Sequence, residues 1–359
     1  MAELICHAKL TLPHHGDYMG DITDRLASFQ AQRMPAAPGV TRLRYAFGWA
    51  EIVAEGAQVR LRGGAPDPNG LARLKDLMAT AFMLYAKADA PRILWQGDAA
   101  GDRRLDSFRL MRVLSASSLT PHMRRIRLGG EGLDRFAAFG NMHVRLLLPS
   151  PAIPAPVWPV AGPDGLADWP DPGRKPVARV YTIRRMDAAA GWVDIDMLLH
   201  DSDGPGSSWA RTAQAGDAIG MIGPLGRPLN ADARHFIMGA DEAGLPALAR
   251  LLETLPPRTG GTAFVEIISA VERQPIDNRT GIHVEWLLRQ PGAAPGQTLA
   301  DRIMAEGWPD RPDSFGWFAA ESAAAQQVRQ FWRSDLGLGR DRTLAAAYWK
   351  EGRAGLMAG

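Results

Sequence analysis

The sequence predicts a multidomain chain of α+β and α/β class, with a small α+β domain, an antiparallel β-barrel and a parallel α/β domain in that order. The length of 359 residues is enough for two or three domains of about 100–200 residues each. The alternation of strand-like and helix-like stretches changes twice, which divides the chain into residues 1–98, 101–230 and 231–359. Hydrophobic residues make up 46% and charged residues 22%, as in ordinary globular proteins, so a mostly disordered chain is excluded.

Charge and cysteine content exclude several classes of function. The chain carries 41 Lys and Arg against 39 Asp and Glu, a net charge of +2, which supplies no general electrostatic drive toward nucleic acid or an anionic membrane. Cys6 is the only cysteine, so an internal disulfide, a Cys-ligated zinc site and a protein-bound iron–sulfur cluster are excluded. The first residues do not read as a signal peptide, and the longest uncharged stretch, 146–163, contains six prolines. We expect a cytoplasmic protein with no integral membrane association.

The first 98 residues alternate between strand-like and helix-like patterns. Residues 3–12 look extended, residues 21–33 have helical spacing, and residues 40–52 and 57–63 look like hairpin strands. An amphipathic helix over 71–88 and a short strand follow. The pattern predicts a small α+β domain, and no group of chemically active side chains stands out within it.

Residues 101–230 contain short strand-like runs separated by Gly, Pro and Asp, a pattern typical of an antiparallel barrel. Residues 149–176 interrupt this pattern because they hold nine prolines in 28 residues, and we expect them to form a long surface loop. From His235 onward strands alternate with helices. That alternation predicts a parallel sheet covered on both faces, as in nucleotide-binding folds.

One predicted barrel strand carries Arg179, Tyr181, Thr182 and Arg184. Alternate residues of a strand share a face, so Arg179 and Tyr181 point one way while Thr182 and Arg184 point the other. An arginine placed this way can pair with a pyrophosphate, and an aromatic ring can lie against a planar ligand. An ordinary barrel strand with surface arginines and a core tyrosine fits the same residues.

A second run, residues 200–210, follows the next strand. Gly and Pro break the chain there, and Ser207 is placed to cap a helix that runs through Trp209 to Gln214. Free N–H groups at a helix start bind anions and suit a phosphate, although an ordinary β-to-α turn is the alternative. The motifs GxGxxG, HExxH and GxSxG and a Walker P-loop are absent, so no conventional fingerprint supports the argument.

The order of these runs resembles the siderophore-interacting proteins, which are flavin-dependent ferric-siderophore reductases of the ferredoxin-reductase superfamily. The resemblance covers roughly residues 108–352 and runs through blocks at 121–136, 143–149, 179–185, 200–210, 216–224, 240–256 and 345–350. Residues 1–98 resemble less closely a small domain of unknown function that precedes some family members. The resemblance implies a six-stranded FAD-binding barrel followed by an NAD(P)H-binding α/β domain.

The resemblance also implies which residues bind the cofactors. They lie in the RxYT flavin motif (Arg179, Tyr181, Thr182), at the pyrophosphate turn and just ahead of it (His200, Gly204, Ser207, Ser208, Trp209), and at the entrance of the nicotinamide domain (Asp241, Glu242). Tyr348 and Trp349 end the last strand. In related reductases a terminal aromatic shields one flavin face, whereas two core aromatics that close the sheet are the alternative.

Substrate contacts are expected at basic positions. Arg145 stands where the family commonly has Lys, and Leu225 replaces the arginine expected in Gly-Pro-Arg-Gly, although Arg227 lies two positions on. Arg145, Arg227 and His143 are therefore candidates for attracting an anionic ferric chelate. Lys350 either adds to this patch or is simply solvated.

The implied chemistry belongs to the cofactors. NADPH or NADH transfers hydride to FAD, and the reduced flavin passes single electrons to Fe(III) held by a siderophore. Hard oxygen chelators hold Fe(II) weakly, so reduction releases the iron. No acid–base pair and no protein-bound metal is expected. Two alternatives stay open: a general NAD(P)H-dependent flavin or ferredoxin-linked reductase, with a ferredoxin as partner, and a non-catalytic siderophore-binding protein on the same scaffold.

Overall fold

The computed structural model describes residues 3–29, 31–137, 142–200, 204–225 and 232–352. The chain divides into two compact units, each built from two segments. Unit 1 comprises Met1–Phe108 and Ala155–Lys175, and unit 2 comprises Arg109–Pro154 and Pro176–Gly359.

Consecutive strands predominate as far as β14, strands alternate with helices after it, and α6 continues into one π-helical turn at Phe331–Asp335. In chain order the elements are β1 (Leu4–Thr11), α1 (Met19–Ala27), β2 (Gln32–Met34), β3 (Val40–Tyr45), β4 (Gly48–Glu55), β5 (Gln58–Ala65), α2 (Pro68–Tyr85), β6 (Gln96–Gly97), β7 (Phe108–Thr120), β8 (Met123–Gly129), β9 (His143–Leu148), β10 (Val160–Ala161), β11 (Ala167–Asp168), β12 (Val177–Asp187), β13 (Trp192–Leu198), α3 (Pro205–Thr212), β14 (Ala218–Leu225), β15 (His235–Ala240), α4 (Leu245–Thr254), β16 (Gly260–Ile267), β17 (Gly281–Leu288), α5 (Gln297–Glu306), β18 (Ser314–Glu321), α6 (Ser322–Gln330) and β19 (Thr343–Trp349).

Unit 1 is built on an antiparallel sheet with strand order β2-β3-β4-β5-β1-β6. Buried and exposed residues alternate along β1, so Cys6, Ala8 and Leu10 point into a core shared with α1 and α2. Helix α2 starts where the Asp67 side chain accepts a hydrogen bond from the Gly70 N–H at 2.9 Å. The predicted small α+β domain is confirmed. The helix predicted over 21–33 is wrong in its last part, because residues 32–34 pair with β3 as strand β2.

The proline-rich segment contributes residues 155–175 to unit 1. Most of it is irregular, as expected, but β10 and β11 form a short ladder within it. The Trp95 indole N–H donates to the Asp164 carbonyl at 2.8 Å, and the Ala161 N–H donates to the Arg103 carbonyl at 2.8 Å. The sequence does not reveal this ladder because two-residue strands are too short to show a hydrophobic period.

Unit 2 contains the predicted antiparallel barrel, which closes in the order β12-β13-β8-β7-β14-β9. Its interior is filled by apolar side chains from every strand, among them the fully buried Ile126, Leu146 and Ile183. Helix α3 follows β13 and adds Trp209 and Ala210 to the same core. The predicted barrel is confirmed.

The remainder of unit 2 is a parallel five-stranded sheet with strand order β17-β16-β15-β18-β19. Successive side chains of the central strand β15 point to opposite faces of the sheet, and helices cover both faces. Its Phe236 and Met238 pack with α4, whereas Ile237 packs with α5 and α6. Ligands of such sheets bind at the carboxyl ends of the strands. Among the described residues, no helix is long and apolar enough to cross a membrane.

Candidate functional site

Strands β9 and β12 lie side by side and carry two groups of predicted site residues. Thr182 is paired with His143, and Arg145 is paired with Val180. Residues opposite each other share a face of the ladder, so Thr182, His143 and Arg145 lie on one face. Tyr181 lies on the other face and packs against the barrel core.

Tyr181 meets the start of helix α3. A Cβ atom at Gly206 would overlap the Tyr181 hydroxyl oxygen, so only glycine allows the tyrosine and the first turn of the helix to lie this close. Burial raises the pKa of Tyr181, against a smaller lowering effect of Arg179. The phenol therefore remains protonated. Arg179 itself donates to the Ala178 carbonyl at 2.7 Å.

Helix α3 begins at Pro205 with Gly204 as its N-cap, and no described side chain caps it. Ser207 instead lies inside the helix, where its hydroxyl accepts the His200 N–H at 2.9 Å and donates to the His200 carbonyl at 3.1 Å. The expected Ser207 cap is wrong, and the helix ends at Thr212. The structure thus uses Ser207 to fix the turn after β13. An uncapped first turn leaves N–H groups to be satisfied by a ligand.

The other two residues of this turn have different surroundings. Ser208 is exposed, and Trp209 is 8% exposed and belongs to the barrel core. Two arginines surround the turn: Arg211 donates to the His200 carbonyl at 2.6 Å, and Arg124 donates to the Arg211 carbonyl at 2.7 Å. These guanidinium groups make the neighbourhood of α3 electropositive.

Asp241 lies at the carboxyl end of β15 and is fully buried. One of its oxygens accepts the Ala243 and Gly244 N–H groups, each at 3.0 Å. The other accepts the Glu321 N–H at 2.9 Å and the Trp349 indole N–H at 2.6 Å. Burial raises the pKa of Asp241 to about 7, and the hydrogen bond from Trp349 opposes this rise. Asp241 therefore ties together the ends of β15, β18 and β19.

The last two residues of β19 contact two histidines of the barrel. The ring of Trp349 lies 5.9 Å from that of His200. Tyr348 meets His143 edge to face, with 2.5 Å between the hydroxyl oxygen and Nε2. Burial, followed by the charge of Arg250, lowers the pKa of His143 to about 4, so its imidazole is neutral at neutral pH.

Glu242 does not join the Asp241 cluster. Its carboxylate accepts the Ile268 N–H at 2.6 Å and pairs with Arg289 at 3.0 Å. Arg289 also binds the fully buried Glu266 at 2.7 Å, and Glu266 in turn accepts the Gly296 N–H at 2.9 Å. Glu242 thus belongs to a buried ionic network at the carboxyl edge of the sheet.

The predicted substrate-binding residues differ in their surroundings. Arg145 is half-buried on β9 between β12 and β14, and no ion pair or hydrogen bond of its side chain is found within the described ranges. Lys350 is exposed directly after β19. Arg227 lies outside the described residues. Of the four candidates, Arg145 and His143 share a strand.

A buried charged cluster between β12 and α4 was missed by the sequence analysis. Arg184 pairs with Glu253 through two contacts of 2.7 and 2.6 Å. Arg250 donates to the carbonyls of Ile183 at 2.7 Å and Phe136 at 3.1 Å. The sequence does contain a sign of this cluster, because the charged Arg250 interrupts the apolar run of α4.

The contacts of Glu272 were also missed, and no local sequence pattern indicates them. Glu272 is 2% exposed and lies in the loop after β16. It accepts a hydrogen bond from the Thr120 hydroxyl and contacts His122 Nδ1 at 2.8 Å. Both partners lie at the β7–β8 turn, more than a hundred residues away in the sequence, so no local pattern could have paired them.

Comparison with known proteins assigns the chain to a family. The siderophore-interacting FAD-binding domain matches residues 112–228, and the siderophore-interacting protein domain matches residues 233–352. The chain belongs to the siderophore-interacting protein family. The resemblance found in the sequence is confirmed.

Three similar siderophore-interacting or ferric-reducing proteins illustrate the relationship. The chain is 31% identical over 248 residues to the ferric vibriobactin reductase ViuB of Vibrio cholerae, a match that covers 68% of this chain and 90% of that protein. It is 30% identical over 247 residues to the NADPH-dependent ferric-chelate reductase of Escherichia coli, covering 67% and 92%. A siderophore utilization protein from T. fusca has a similar structure, with a TM-score of 0.61, 36% identity and coverage of 70% and 95%.

The site of this siderophore-interacting protein fits FAD. The contact between Tyr181 and Gly206 supports this fit, because a side chain on residue 206 would overlap Tyr181 at the start of α3. Beside it lie the uncapped first turn of α3 and Arg179, which together suit a pyrophosphate. The aromatic residues at the end of β19 reach the same barrel. FAD is therefore a cofactor of this chain, in agreement with the matched FAD-binding domain.

Proposed function

We propose that this protein transfers electrons from NAD(P)H through FAD to ferric siderophores and so releases Fe(II). One observation supports this most directly. The carboxyl edge of the parallel sheet, through Tyr348, contacts His143 on the strand next to the RxYT motif. A nicotinamide at that edge and a flavin at that motif would then be neighbours, as hydride transfer requires.

We assign the domains accordingly. Residues 101–230 hold the FAD-binding barrel, except that residues 155–175 group with unit 1; residues 231–359 are the NAD(P)H-binding domain, and residues 1–98 a small additional domain. The matched family ranges, 112–228 and 233–352, support the second and third domains.

We propose roles for most of the cofactor-binding residues. Arg179 and the first turn of α3, from Gly204 through Ser208, bind the pyrophosphate, and Tyr181 and Thr182 contact the flavin ring. Bound FAD supplies hydride acceptance and one-electron delivery, which no protein side chain can provide. Asp241 positions Trp349 through its hydrogen bond of 2.6 Å, and Trp349 in turn holds His200. Trp209 supports the turn from the barrel core.

Arg145 attracts the ferric chelate. Its side chain has no ion pair or hydrogen bond within the described ranges, so its charge is available to an anionic ligand. Lys350 adds a second positive charge. The names of the two curated relatives, a ferric vibriobactin reductase and a ferric-chelate reductase, support this substrate class. We place the reaction in the cytoplasm, with NADPH or NADH as the electron donor and a ferredoxin as a partner in the alternative function only.

The assay mixes purified protein, a nicotinamide, an anionic ferric siderophore and a ferrous trap under anaerobic conditions. Trapped Fe(II) that depends on the siderophore supports the proposal. Arg145→Gln is expected to raise KM for the chelate about fivefold, as expected for about 1 kcal/mol of charge attraction, and to leave reduction of a neutral quinone unchanged. The control Arg340→Gln removes an exposed charge elsewhere and should change neither.

Three results would contradict the proposal. Equal rates with and without the chelate would favour the general flavin reductase. Faster electron transfer to a ferredoxin than to the chelate would identify a ferredoxin-linked reductase. Tight binding of the chelate by a flavin-free protein without any reduction would favour the non-catalytic binding protein.

A further inference from the structure

The face of the unit 1 sheet opposite the helices is basic. The helices cover the side that carries Cys6, Ala8 and Leu10, so the alternate residues of the strands point away from them. We call this surface the basic face; its exposed cationic side chains are Lys9 on β1, Arg42 and Arg44 on β3, and Arg60 and Arg62 on β5, with His7 beside them.

Strands β1 and β5 place basic residues directly opposite each other on the basic face. Lys9 is paired with Arg60, and His7 is paired with Arg62. Like charges at opposite positions of antiparallel strands destabilise the sheet. Lys9 and Arg60 form one such pair, whereas Arg62 lies opposite Glu51 on its other side.

The carboxylates on the basic face do not neutralise it. Glu51 binds Arg42 at 2.6 Å, and Glu55 lies 3.1 Å from Arg60. No ion pair is found for Lys9, Arg44 or Arg62 within the part of the chain that the structure describes. A third carboxylate, Glu3, binds the Trp49 indole N–H at 2.7 Å, so the five cations of this face exceed its carboxylates by two. The net charge of +2 for the whole chain conceals this segregation.

The basic face combines exposed cations with half-buried apolar side chains. It is the surface of an antiparallel sheet, and half-buried apolar residues such as Val40 and Val53 lie between its cations. The one tryptophan on it, Trp49, packs on Gly64 on one side and has the Arg62 guanidinium 5.5 Å from its ring centre. Its ring is thus covered, whereas proteins that bind single-stranded nucleic acid offer open aromatic rings to the bases.

We propose that the basic face binds the surface of an anionic lipid bilayer, which makes unit 1 a peripheral membrane-docking module. Phospholipid headgroups present many negative charges in one plane and would compensate Lys9, Arg44 and Arg62 together. Each basic side chain near such a surface raises affinity about fivefold, so the three give roughly a hundredfold. Salt screens the attraction because the charges are exposed.

The test is flotation of the purified, full-length protein with vesicles of phosphatidylcholine alone or of phosphatidylcholine mixed with phosphatidylglycerol. The wild type is expected to float only with the anionic vesicles and to dissociate in high salt. The variant Lys9→Gln/Arg44→Gln/Arg62→Gln is expected to bind at least tenfold more weakly. The matched control Lys87→Gln/Arg92→Gln/Arg340→Gln removes three exposed charges outside the basic face and is expected to bind as the wild type does.

Thermal unfolding separates loss of binding from loss of folding. Neutralising Lys9 removes its repulsion with Arg60, and all three replaced side chains are exposed, so the triple variant is expected to unfold at about the same temperature as the wild type. Equal binding to neutral and anionic vesicles, or an equal loss of binding in both triple variants, would overturn the proposal. So would tighter, face-dependent binding to a DNA oligonucleotide or to polyglutamate than to anionic vesicles, which would assign the face to that partner instead.

Discussion

Arg184 and Glu253 form a two-point ion pair, at 2.7 and 2.6 Å, that joins barrel strand β12 to helix α4. Arg184 lies two residues beyond Thr182 in the RxYT strand, and its side chain is 4% exposed. The same strand therefore carries the proposed flavin contacts and the contact that fixes the α/β part of unit 2 against the barrel. A change at this pair should alter both stability and electron transfer.

Replacing Arg184 by Met is expected to destabilise unit 2 by about 3 kcal/mol, because it leaves a buried carboxylate with fewer partners. For a unit of this size the melting temperature should fall by roughly 10 °C. Thermal unfolding followed by circular dichroism measures the change. Arg185→Gln is the matched control, since Arg185 makes one contact of 3.0 Å with the same carboxylate and is 45% exposed. A similar loss in both variants would contradict the role of the buried pair.

The Glu253 carboxylate should make stability fall in strong acid. Burial raises its pKa, but hydrogen bonds from Arg184 and Arg185 outweigh burial and lower the pKa from 4.5 to about 2. The contribution is therefore complete above pH 4.5 and is lost as the pH falls toward 2. Urea unfolding of the wild type and Glu253→Gln measures it: the difference in unfolding free energy, on the order of 3 kcal/mol, should vanish across this window. A difference in unfolding free energy that stays constant with pH would show that the Glu253 carboxylate does not titrate in this range.

His143 should act in a separate pH window. Burial, followed by the charge of Arg250, lowers its pKa from 6.5 to about 4. The unfolded chain binds a proton here before the folded one does, so stability is full above pH 6.5 and falls as the pH decreases toward 4. His143→Gln should flatten the dependence of unfolding free energy on pH in this range. An unchanged slope in the variant would mean that the histidine is not held neutral.

Gly206 should be required for flavin binding. Gly206→Ala places a Cβ against the Tyr181 hydroxyl and is expected to weaken FAD binding at least tenfold, as measured by flavin fluorescence titration. The double variant Tyr181→Phe/Gly206→Ala removes the hydroxyl, leaves the next tyrosine atom 3.2 Å from the new Cβ, and should regain most of the affinity. Gly260→Ala on β16 is the control, because nothing lies within 4 Å of a Cβ there. Failure of the double variant to recover would place the cause elsewhere.

The fold was predictable because each part of the chain repeats its own short-range pattern. Strands such as β12 and β15 and the helix α4 stand out by hydrophobic period alone. The sequence predicts the end of a helix where β2 lies, because three residues are too few to show the hydrophobic period of a strand. The pairing of β2 with β3 decides its conformation.

The candidate site was predictable only as separate motifs. The RxYT strand and the turn at 200–210 were recognisable, but the contact of Tyr181 with Gly206 depends on barrel closure. The sequence predicts that Ser207 caps α3, yet Ser207 lies inside the helix and accepts a hydrogen bond from the His200 N–H. Arg250 and Glu272 find partners far away in sequence, and only the fold brings such groups together.

The most direct test of the central claim is an anaerobic absorbance titration of the purified protein reconstituted with FAD. We expect a bound flavin spectrum near one equivalent, bleaching on addition of NADPH or NADH, and reoxidation by a ferric siderophore with Fe(II) trapped in proportion. A protein that cannot be loaded with FAD, or a bound flavin that nicotinamide reduces but ferric siderophore does not reoxidise, would contradict the account.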